Sequence, residues 1–283
     1  MNEAEIQAFW NRYPCGDLQV GGLRKHKGDY DAFFSNYDTF RYRKEGHILG
    51  CLDQIDFQGK RVLEIGLGQG ADSEQIIKRG GLWSGLDLTP ESVDRVRTRM
   101  SLRNLPYQDI KQGSALQNPY SDGSFDIVFS HGVLHHIPDI HTAQREIHRV
   151  LKPSGELIVM LYAKWSLNYL LSIAVVRRLG LVALYLSGIE PNGIYRQHLD
   201  HASATGMANY LKMSNFIHRN TDGPLNPYSK VYDLAEVKRD FPNFRVTRAY
   251  KRFMHAPPLP VKVLPLAGLL GWHLWVHMKP VSK

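Results

Sequence analysis

One stretch constrains the fold of this chain more than any other, a cluster of three glycines directly after a short apolar run. It reads RVLEIGLGQGADSEQI over residues 61–76, and the apolar run predicts a buried strand followed by a helix over residues 71–78. Glycine has no side chain, so a ligand can approach the backbone of such a turn closely. The free N–H groups at the start of the next helix add hydrogen-bond donors. The stretch therefore predicts the nucleotide-binding turn of an α/β protein.

The segments that follow repeat this alternation of strand and helix. Predicted strands in GLWSGLDLTP, IKQGSAL, SFDIVFSHGVL and GELIVMLYA are interleaved with predicted helices in PESVDRVRTRMSL and HTAQREIHRVL. Two further strands, FRVTRAYKRF and GWHLWVHMK, are predicted near the end of the chain. The pattern predicts a doubly wound, mostly parallel seven-stranded sheet that closes with antiparallel strands.

The alternation also divides the chain into four parts. Residues 1–60 are a predicted helical segment that covers the ligand, and residues 61–163 are the α/β core. The alternation of strand and helix stops over residues 164–230, which form an insert after the fifth strand. The insert is longer than a connection between two elements needs to be, and it is predicted to be an acceptor-binding cap. Residues 231–283 return to the core with the last helix and the closing strands.

The composition is that of an ordinary globular protein, with 43% hydrophobic and 22% charged residues. Cys15 and Cys51 offer neither a disulfide framework nor a metal-ligand spacing, and the start of the chain does not resemble a signal peptide. Both features favour a cytoplasmic protein. No stretch is expected to reach the length of a membrane span, because the nearest, residues 167–186, carries Arg177 and Arg178 in its middle.

The net charge of +8 admits nucleic acid, an anionic membrane surface or an acidic substrate as a partner. The basic residues are scattered and form no compact run interleaved with aromatics, so nucleic acid is not expected. Apolar stretches in residues 167–186 and 256–271 leave peripheral membrane contact open. They leave a homodimer open as well, beside a monomer.

The glycine turn narrows the choice of ligand. It reads G-x-G-x-G rather than the dinucleotide fingerprint G-x-G-x-x-G, and Glu64 lies two residues before Gly66. Asp87 ends the next strand, where a carboxylate accepts hydrogen bonds from ribose hydroxyls in either nicotinamide dinucleotides or S-adenosylmethionine. No lysine followed by serine or threonine comes after the turn, which argues against a phosphate-binding loop. S-adenosylmethionine carries no phosphate, and its ammonium would be drawn to Glu64.

Four motifs then resemble one family. VLEIGLGQG, GLDLTPESV, GSALQNPYSDGSFDIVFSHGVLHHI and REIHRVLKPSGELIVMLY are similar, in order and spacing, to the motifs of class I S-adenosylmethionine-dependent methyltransferases. The nearest resemblance is to the small-molecule branch that includes the ubiquinone and menaquinone biosynthesis methyltransferases. It covers residues 61–162 and implies a Rossmann-like methyltransferase fold, S-adenosylmethionine as cofactor, S-adenosylhomocysteine as product and a small-molecule acceptor.

The resemblance also implies which residues hold the cofactor. Glu64 and the glycines would hold its methionine part, Asp87 its ribose, and Leu88 its adenine. Ser114 stands where the family commonly has an acidic residue that reaches the adenine amino group, so its hydroxyl or Ala115 would have to substitute. The full set of predicted cofactor residues is Glu64, Gly66, Gly68, Gly70, Asp87, Leu88, Ser114, Ala115, Ser130, Tyr42 and Arg43.

Candidate catalytic residues come from the histidines after the fourth strand. His131 is predicted to be a general base or a wall of the pocket, because it follows the strand end that faces the donor and imidazole titrates near neutrality. His135 is the second candidate, although the dipeptide of His135 and His136 often serves packing and helix capping in the family. The spacing of these histidines offers no tetrahedral metal set, so no metal is predicted.

The acceptor site is the least constrained part of the sequence. Its predicted residues lie in the N-terminal segment and the insert: Tyr13, Tyr195, His198, Asn226 and Tyr228. The leading hypothesis is a methyltransferase that acts on a small molecule in secondary or specialised metabolism. An RNA or protein methyltransferase, a non-catalytic S-adenosylmethionine-binding module and, less favoured, a nicotinamide dehydrogenase are the alternatives.

Overall fold

The helices and strands follow the predicted alternation closely. The computed structural model describes residues 2–281, apart from the side chain of residue 18. The strands are β1 Arg61–Ile65, β2 Leu82–Asp87, β3 Asp109–Gln112, β4 Phe125–His131, β5 Leu151–Tyr162, β6 Phe244–Arg252 and β7 His273–Pro280. The helices of the core are α6 Ala71–Lys78, α7 Pro90–Leu102, α8 Ile140–Val150 and α13 Leu234–Asp240.

Two helical regions are added to this core. The N-terminal region holds α1 Glu3–Arg12, α2 Asp17–Val20, α3 Gly22–Lys25, α4 Tyr30–Glu45 and α5 His47–Leu52. The insert after β5 holds a π-helical stretch Asn168–Arg177 that continues into α9 Arg178–Ser187, then α10 Ile194–Thr205, α11 Met207–Tyr210 and α12 Met213–Arg219. A short helix, α14 Ala267–Leu270, precedes β7.

The seven strands form one mixed sheet in the order β3-β2-β1-β4-β5-β7-β6. The first five strands pair in parallel, and β7 pairs antiparallel with both β5 and β6. The predicted Rossmann-like methyltransferase fold is therefore confirmed, with a sheet that is mostly rather than wholly parallel. Since the chain runs from β1 outward to β3 and then returns to β4, the crevice at the carboxyl ends of β1 and β4 is where such sheets bind ligands.

Alternate residues of the central strand pack on opposite faces of the sheet. Val62 joins the buried cluster that contains Trp83 and Ile158, whereas Leu63 joins the cluster on the other face with Val128. Both faces of β1 are thus buried, as expected of a central parallel strand. The strand is a rigid base for the glycine turn that follows it.

Ion pairs tie the N-terminal region to the core. Arg99 of α7 is 1% exposed and donates to Glu74 of α6 and Asp38 of α4. Phe33 and Phe34 of α4 are fully buried in the same region. Helix α4 is therefore part of the folded body, and its next turns reach the crevice.

The insert differs from the sequence-based expectation in one respect. Residues Asn168–Ser187 form a helical segment that is, by length and composition alone, long and apolar enough to cross a membrane. The expectation that no stretch reaches this length was wrong, because the apolar residues on both sides of Arg177 and Arg178 belong to one continuous helix. Only 17% of its apolar window is buried.

Candidate active site at the carboxyl edge of the sheet

A cavity of about 660 Å³ lies at the carboxyl ends of the parallel strands. Its walls come from the turns after β1, β2, β3 and β4, from the end of β5, from helices α1 and α4, and from the start of the segment that follows β6. Single residues and short runs of the insert also contribute, namely Ile194 and residues 221–223. The cavity therefore has one end at the glycine turn and another among the residues of β5, β7 and the insert.

The glycine turn needs glycine for two different physical reasons. Gly66, Gly68 and Gly70 all have positive φ, at 83°, 52° and 75°. A Cβ on Gly66 would lie 2.1 Å from a methyl carbon of Val133, so a side chain there would displace the loop after β4. Gly66 and Gly68 line the cavity, while Gly70 is the N-cap of α6 and packs against α7.

Asp87 holds the turn and faces the cavity. Its carboxylate accepts hydrogen bonds from the N–H of Leu67 at 2.6 Å and from the N–H and hydroxyl of Thr89 at 2.8 Å each. Burial raises the pKa of Asp87, and these hydrogen bonds work against that rise. Both bonds from Thr89 end on Oδ1 and the bond from Leu67 ends on Oδ2, so Oδ2 has a further lone pair with which Asp87 can accept from a ligand hydroxyl. Leu88 lines the cavity beside it.

Helix α1 closes the end of the cavity beyond β2 and β3. Gln7 donates to the carbonyl oxygen of Leu88 at 2.8 Å, and the hydroxyl of Ser114 donates to Glu3. Glu3 and Ala115 line the cavity, whereas Ser114 does not. The acidic side chain at this end is therefore Glu3 of the N-terminal helix, at the place where sequence reasoning found a serine and no acid.

Glu64 is a buried carboxyl group at the other side of the glycine turn. It is 2% exposed, lines the cavity and accepts hydrogen bonds from Ser73 at 2.6 Å and Trp83 at 2.8 Å. Burial, reinforced by the nearby charge of Asp72, raises the pKa of Glu64 to about 8. A cationic group in the cavity would lower that pKa again and stabilise the carboxylate.

Besides Gly70 and Ser114, three of the predicted cofactor residues do not line the cavity. Ser130 is buried and donates to the carbonyl oxygen of Ile65 at 3.0 Å, which ties β4 to β1. Tyr42 donates to the carbonyl oxygen of Ala71 at 3.1 Å. Arg43 is exposed on the far side of α4, so its assignment to the methionine end needs correction. Arg41, two residues earlier, lines the cavity instead.

His131 belongs to a charged group on the cavity wall. Its Nδ1 lies 2.6 Å from an Asp72 carboxylate oxygen, and Arg41 donates to the same carboxylate, with Nε 3.2 Å from the other oxygen. Burial tends to raise the pKa of Asp72, but the charges of Arg41 and His131 outweigh it and lower that pKa. Asp72 is therefore ionised. Among residues 2–281, the buried Nε2 of His131 has no hydrogen-bond partner.

Aromatic rings form the wall beyond His131. Tyr162 stacks on Trp272 with ring centroids 4.5 Å apart, and Phe253 stacks on His255 at 4.9 Å. Burial lowers the pKa of His255 to about 3 and that of His273 well below its usual value, so both imidazoles are neutral near pH 7. This wall combines flat apolar faces with uncharged ring nitrogens.

The insert contributes a carboxylate to the cavity wall, that of Asp222. Asp222 accepts a hydrogen bond from the Tyr162 hydroxyl at 2.9 Å and lies 3.3 Å from Nε2 of His136. Although burial acts to raise the pKa of Asp222, its contacts with His136 and Tyr162 lower it. The sequence analysis predicted Asn226 and Tyr228 from this part of the insert and missed Asp222.

Most of the predicted acceptor residues point elsewhere, and only Tyr13 lines the cavity. Tyr195 is 65% exposed, and His198 hydrogen-bonds to the Tyr210 hydroxyl at 2.6 Å. Asn226 is fully buried and donates to Ser229, while Tyr228 stacks on His218. None of these four residues lines the cavity, because Tyr195 faces solvent and the other three side chains pack within the insert.

His135 needs the same correction. It is fully buried, does not line the cavity, and its ring packs on Tyr162 with centroids 3.9 Å apart. Burial lowers the pKa of His135 well below its usual value, so it is a neutral packing residue. No group of three or more His, Cys, Asp or Glu within residues 2–281 is arranged to hold a metal ion.

Comparison with known proteins agrees with this architecture. The family described as "Methyltransferase domain" matches residues 63–159. Tocopherol O-methyltransferase, chloroplastic, of Arabidopsis thaliana is 26% identical over 58% of this chain and 50% of its own length. Ubiquinone biosynthesis O-methyltransferase of Marinobacter nauticus is 26% identical over 65% of this chain and 75% of its own. The chain thus spans about half the length of the first of these relatives.

Solved structures are similar in fold to most of this chain. A SAM-dependent methyltransferase from Aquifex aeolicus superposes with a TM-score of 0.51 over 85% of this chain and 93% of its own, at 15% sequence identity. At that identity the likeness concerns the fold alone. Residues 63–159 thus match a methyltransferase domain and the chain has the Rossmann-like fold of S-adenosylmethionine-dependent methyltransferases, which together imply S-adenosylmethionine as cofactor and S-adenosylhomocysteine as product.

Proposed function

We propose that the protein transfers a methyl group from S-adenosylmethionine to a hydroxyl group of a small, largely aromatic acceptor in secondary or specialised metabolism. The observation that carries this proposal is the Asp72–His131 pair on the cavity wall, with Nε2 of His131 buried and without a partner in residues 2–281. The names of both relatives given above describe O-methyltransferases, which supports an oxygen acceptor. A cytoplasmic location is part of the same proposal, and both cysteines are free thiols.

The glycine-turn end of the cavity fits the donor. Gly66 and Gly68 line the cavity without side chains, Asp87 offers a carboxylate oxygen for the ribose, and Glu64 offers a carboxylate for the ammonium. Glu3 can accept a hydrogen bond from the adenine amino group. When bound, S-adenosylmethionine supplies an electrophilic methyl group on a sulfonium sulfur.

His131 would take up the proton of the acceptor. Nδ1 of His131 lies 2.6 Å from the Asp72 carboxylate, which can only accept, and 2.8 Å from Nη2 of Arg41, which can only donate. In the tautomer that we propose, Nδ1–H donates to the carboxylate at the shorter distance, and Nε2 is left as the acceptor. A hydroxyl hydrogen-bonded to Nε2 would lose its proton as its oxygen becomes the nucleophile, and ionised Asp72 would stabilise the imidazolium. Arg41 keeps Asp72 ionised throughout.

The other end of the cavity supports a small aromatic acceptor over a macromolecule. Its wall consists of Tyr162, Trp272 and Phe253 with neutral His255 and His273, and Asp222 is a polar group among them. A mostly apolar cavity with few polar groups is typical of small-molecule sites. Helix α1 and the insert both contribute residues to the wall of the cavity.

Isotope transfer from a labelled donor tests this proposal. The wild-type protein and a His131→Gln variant would each be incubated with methyl-deuterated S-adenosylmethionine and a cell extract, then separated into small molecules, RNA and protein. We expect deuterated methyl groups in small molecules with the wild type, and far fewer with the variant at equal donor binding. Label found only in RNA or protein would overturn the proposal.

A further inference from the structure

Large apolar side chains are exposed on the outside of the insert and on the segment between β6 and β7. We define the apolar surface by six of them: Trp165, Leu171, Leu179, Leu186, Val263 and Leu269. Leu186 is 76% exposed and Val263 is 86% exposed. Isolated apolar side chains are normal on a protein surface, whereas a continuous group of this size marks an interaction site.

Hydrogen bonds join the two segments into one surface. Ser172 and Arg177 of the long helix both donate to the carbonyl oxygen of Pro257, Arg177 at 3.1 Å. The ammonium of Lys251 donates to the carbonyl oxygens of Trp165, at 2.6 Å, and of Leu269, on the other segment. Trp165 and Leu269 are therefore neighbours, and the exposed apolar residues lie on a common face of the molecule.

The long helix is held against the protein along one side. Ile173 and Leu181 are buried in a cluster with Phe216 and Trp272, and Arg177 also donates to the carbonyl oxygen of Asn220 at 2.7 Å. Leu171, Val175 and Leu179 are exposed at a spacing of four residues, which puts them on one stripe of the opposite side. A helix with one packed side and one apolar exposed side lies on a membrane surface rather than across it.

Charge distinguishes a lipid surface from a second copy of this chain. The sequence has no Asp or Glu between Glu156 and Glu190, and none after Asp240, whereas Arg178 and Lys262 lie in these stretches. In a symmetric dimer the same surface would face itself and bring like charges together. An anionic bilayer supplies both apolar depth and opposite charge.

We propose that the apolar surface binds an anionic lipid bilayer, with the helix Asn168–Ser187 lying in the interfacial plane. The surface borders the cavity, since Phe253 and His255 line the cavity at the start of the segment that carries Val263 and Leu269. Docking therefore puts one opening of the cavity next to lipid. The binding itself is independent of the proposed methyl transfer.

Sedimentation with lipid vesicles tests this proposal on the full chain. Wild-type protein would be mixed with vesicles of phosphatidylcholine alone or with about one third phosphatidylglycerol, at low and high salt. We expect binding to the anionic vesicles that weakens as salt rises. The double variant Leu179→Glu, Leu269→Glu should bind at least about tenfold more weakly, because it places charges where the apolar contact forms.

The matched control carries the same two changes on another exposed face, at Leu102→Glu and Tyr107→Glu. It should bind as the wild type does, and binding of S-adenosylhomocysteine would show that every variant is folded. Lys262→Glu, on an exposed side chain, should weaken binding as well and serves if the double variant does not fold. The proposal is overturned if the wild type does not bind anionic vesicles or if it binds neutral vesicles equally well. It is also overturned if the control loses as much vesicle binding as the double variant. A wild-type dimer that becomes a monomer in the double variant, without vesicle binding, would assign the surface to a second copy.

Discussion

Asp72 and His131 form a hydrogen-bonded pair across two elements of the fold, with Nδ1 of the imidazole 2.6 Å from a carboxylate oxygen. Asp72 lies in the first turn of α6, directly after the glycine turn, and His131 ends β4. One pair therefore connects the turn expected to hold the donor with the wall expected to meet the acceptor. The predictions below follow from this arrangement.

Removal of the imidazole should slow the chemical step. His131→Ala should lower kcat by about 100-fold or more, because the acceptor hydroxyl loses its proton acceptor, while affinity for S-adenosylhomocysteine stays near that of the wild type. His141→Ala, on an exposed side chain, is the control and should leave kcat unchanged. A loss of kcat below about tenfold in His131→Ala would mean that His131 only shapes the pocket.

Donor binding should release a proton from Glu64. Burial raises the pKa of Glu64 to about 8, so the free protein holds this proton at pH 7. The ammonium of the ligand favours the carboxylate and lowers its pKa, so binding should expel about one proton and strengthen as pH rises from 6 towards 8. Calorimetry of S-adenosylhomocysteine binding in buffers of different ionisation enthalpy measures the number of protons released. Glu64→Gln should bind without that release, and equal release from both proteins would refute the assignment.

Loss of the Asp87 carboxylate should weaken donor binding. Asp87→Ala removes the carboxylate acceptor for the ribose and should reduce the affinity for S-adenosylhomocysteine by about 2–3 kcal/mol, measured by calorimetry. The same change also frees the N–H groups of Leu67 and Thr89, so thermal unfolding is followed in parallel. Asp109→Ala, on the exposed start of β3, is the control. Unchanged affinity in Asp87→Ala would contradict the ribose assignment.

Glu3 should contribute to adenine binding from the N-terminal helix. Glu3→Gln removes the charge from the carboxylate that Ser114 contacts and should weaken S-adenosylhomocysteine binding by about fivefold to tenfold. Glu5→Gln changes an exposed glutamate of the same helix and should have no effect. Because an inosine analogue of the ligand lacks the amino group, it should bind both variants and the wild type alike. A preference of the wild type for that analogue would count against the role of Glu3.

The sequence was most informative where structure is set locally. The strand, the glycine turn and the helix that begins at Ala71 depend on neighbouring residues, so their positions were predictable from spacing. Asp87 follows from the same logic, since the carboxyl ends of adjacent parallel strands meet at one edge. Arg41 was predictable in principle. Tyr37, Arg41 and Glu45 line the cavity at the four-residue spacing of a helix face, and Arg43 lies off that face.

The insert was less predictable because its side chains are positioned by tertiary packing. Tyr195 and His198 lie on α10, whose direction depends on how α9 and α12 pack, and no local pattern records that direction. Asp222 lies in the sequence close to Asn226, which was predicted for the acceptor site. Its partner Tyr162 is far away in the sequence, so only the fold shows that the two meet.

The most direct test of the proposed O-methyl transfer is to identify the acceptor atom that receives the methyl group. The wild-type protein would transfer a ¹³C-labelled methyl group to the small-molecule fraction of an extract, and the labelled product would be purified and its ¹³C chemical shift measured. Transfer to a hydroxyl of a small acceptor predicts a methoxy carbon in a compound of low molecular mass, absent when His131→Ala replaces the wild type. A methyl carbon bonded to nitrogen, sulfur or carbon, or label confined to RNA or protein, would contradict the account.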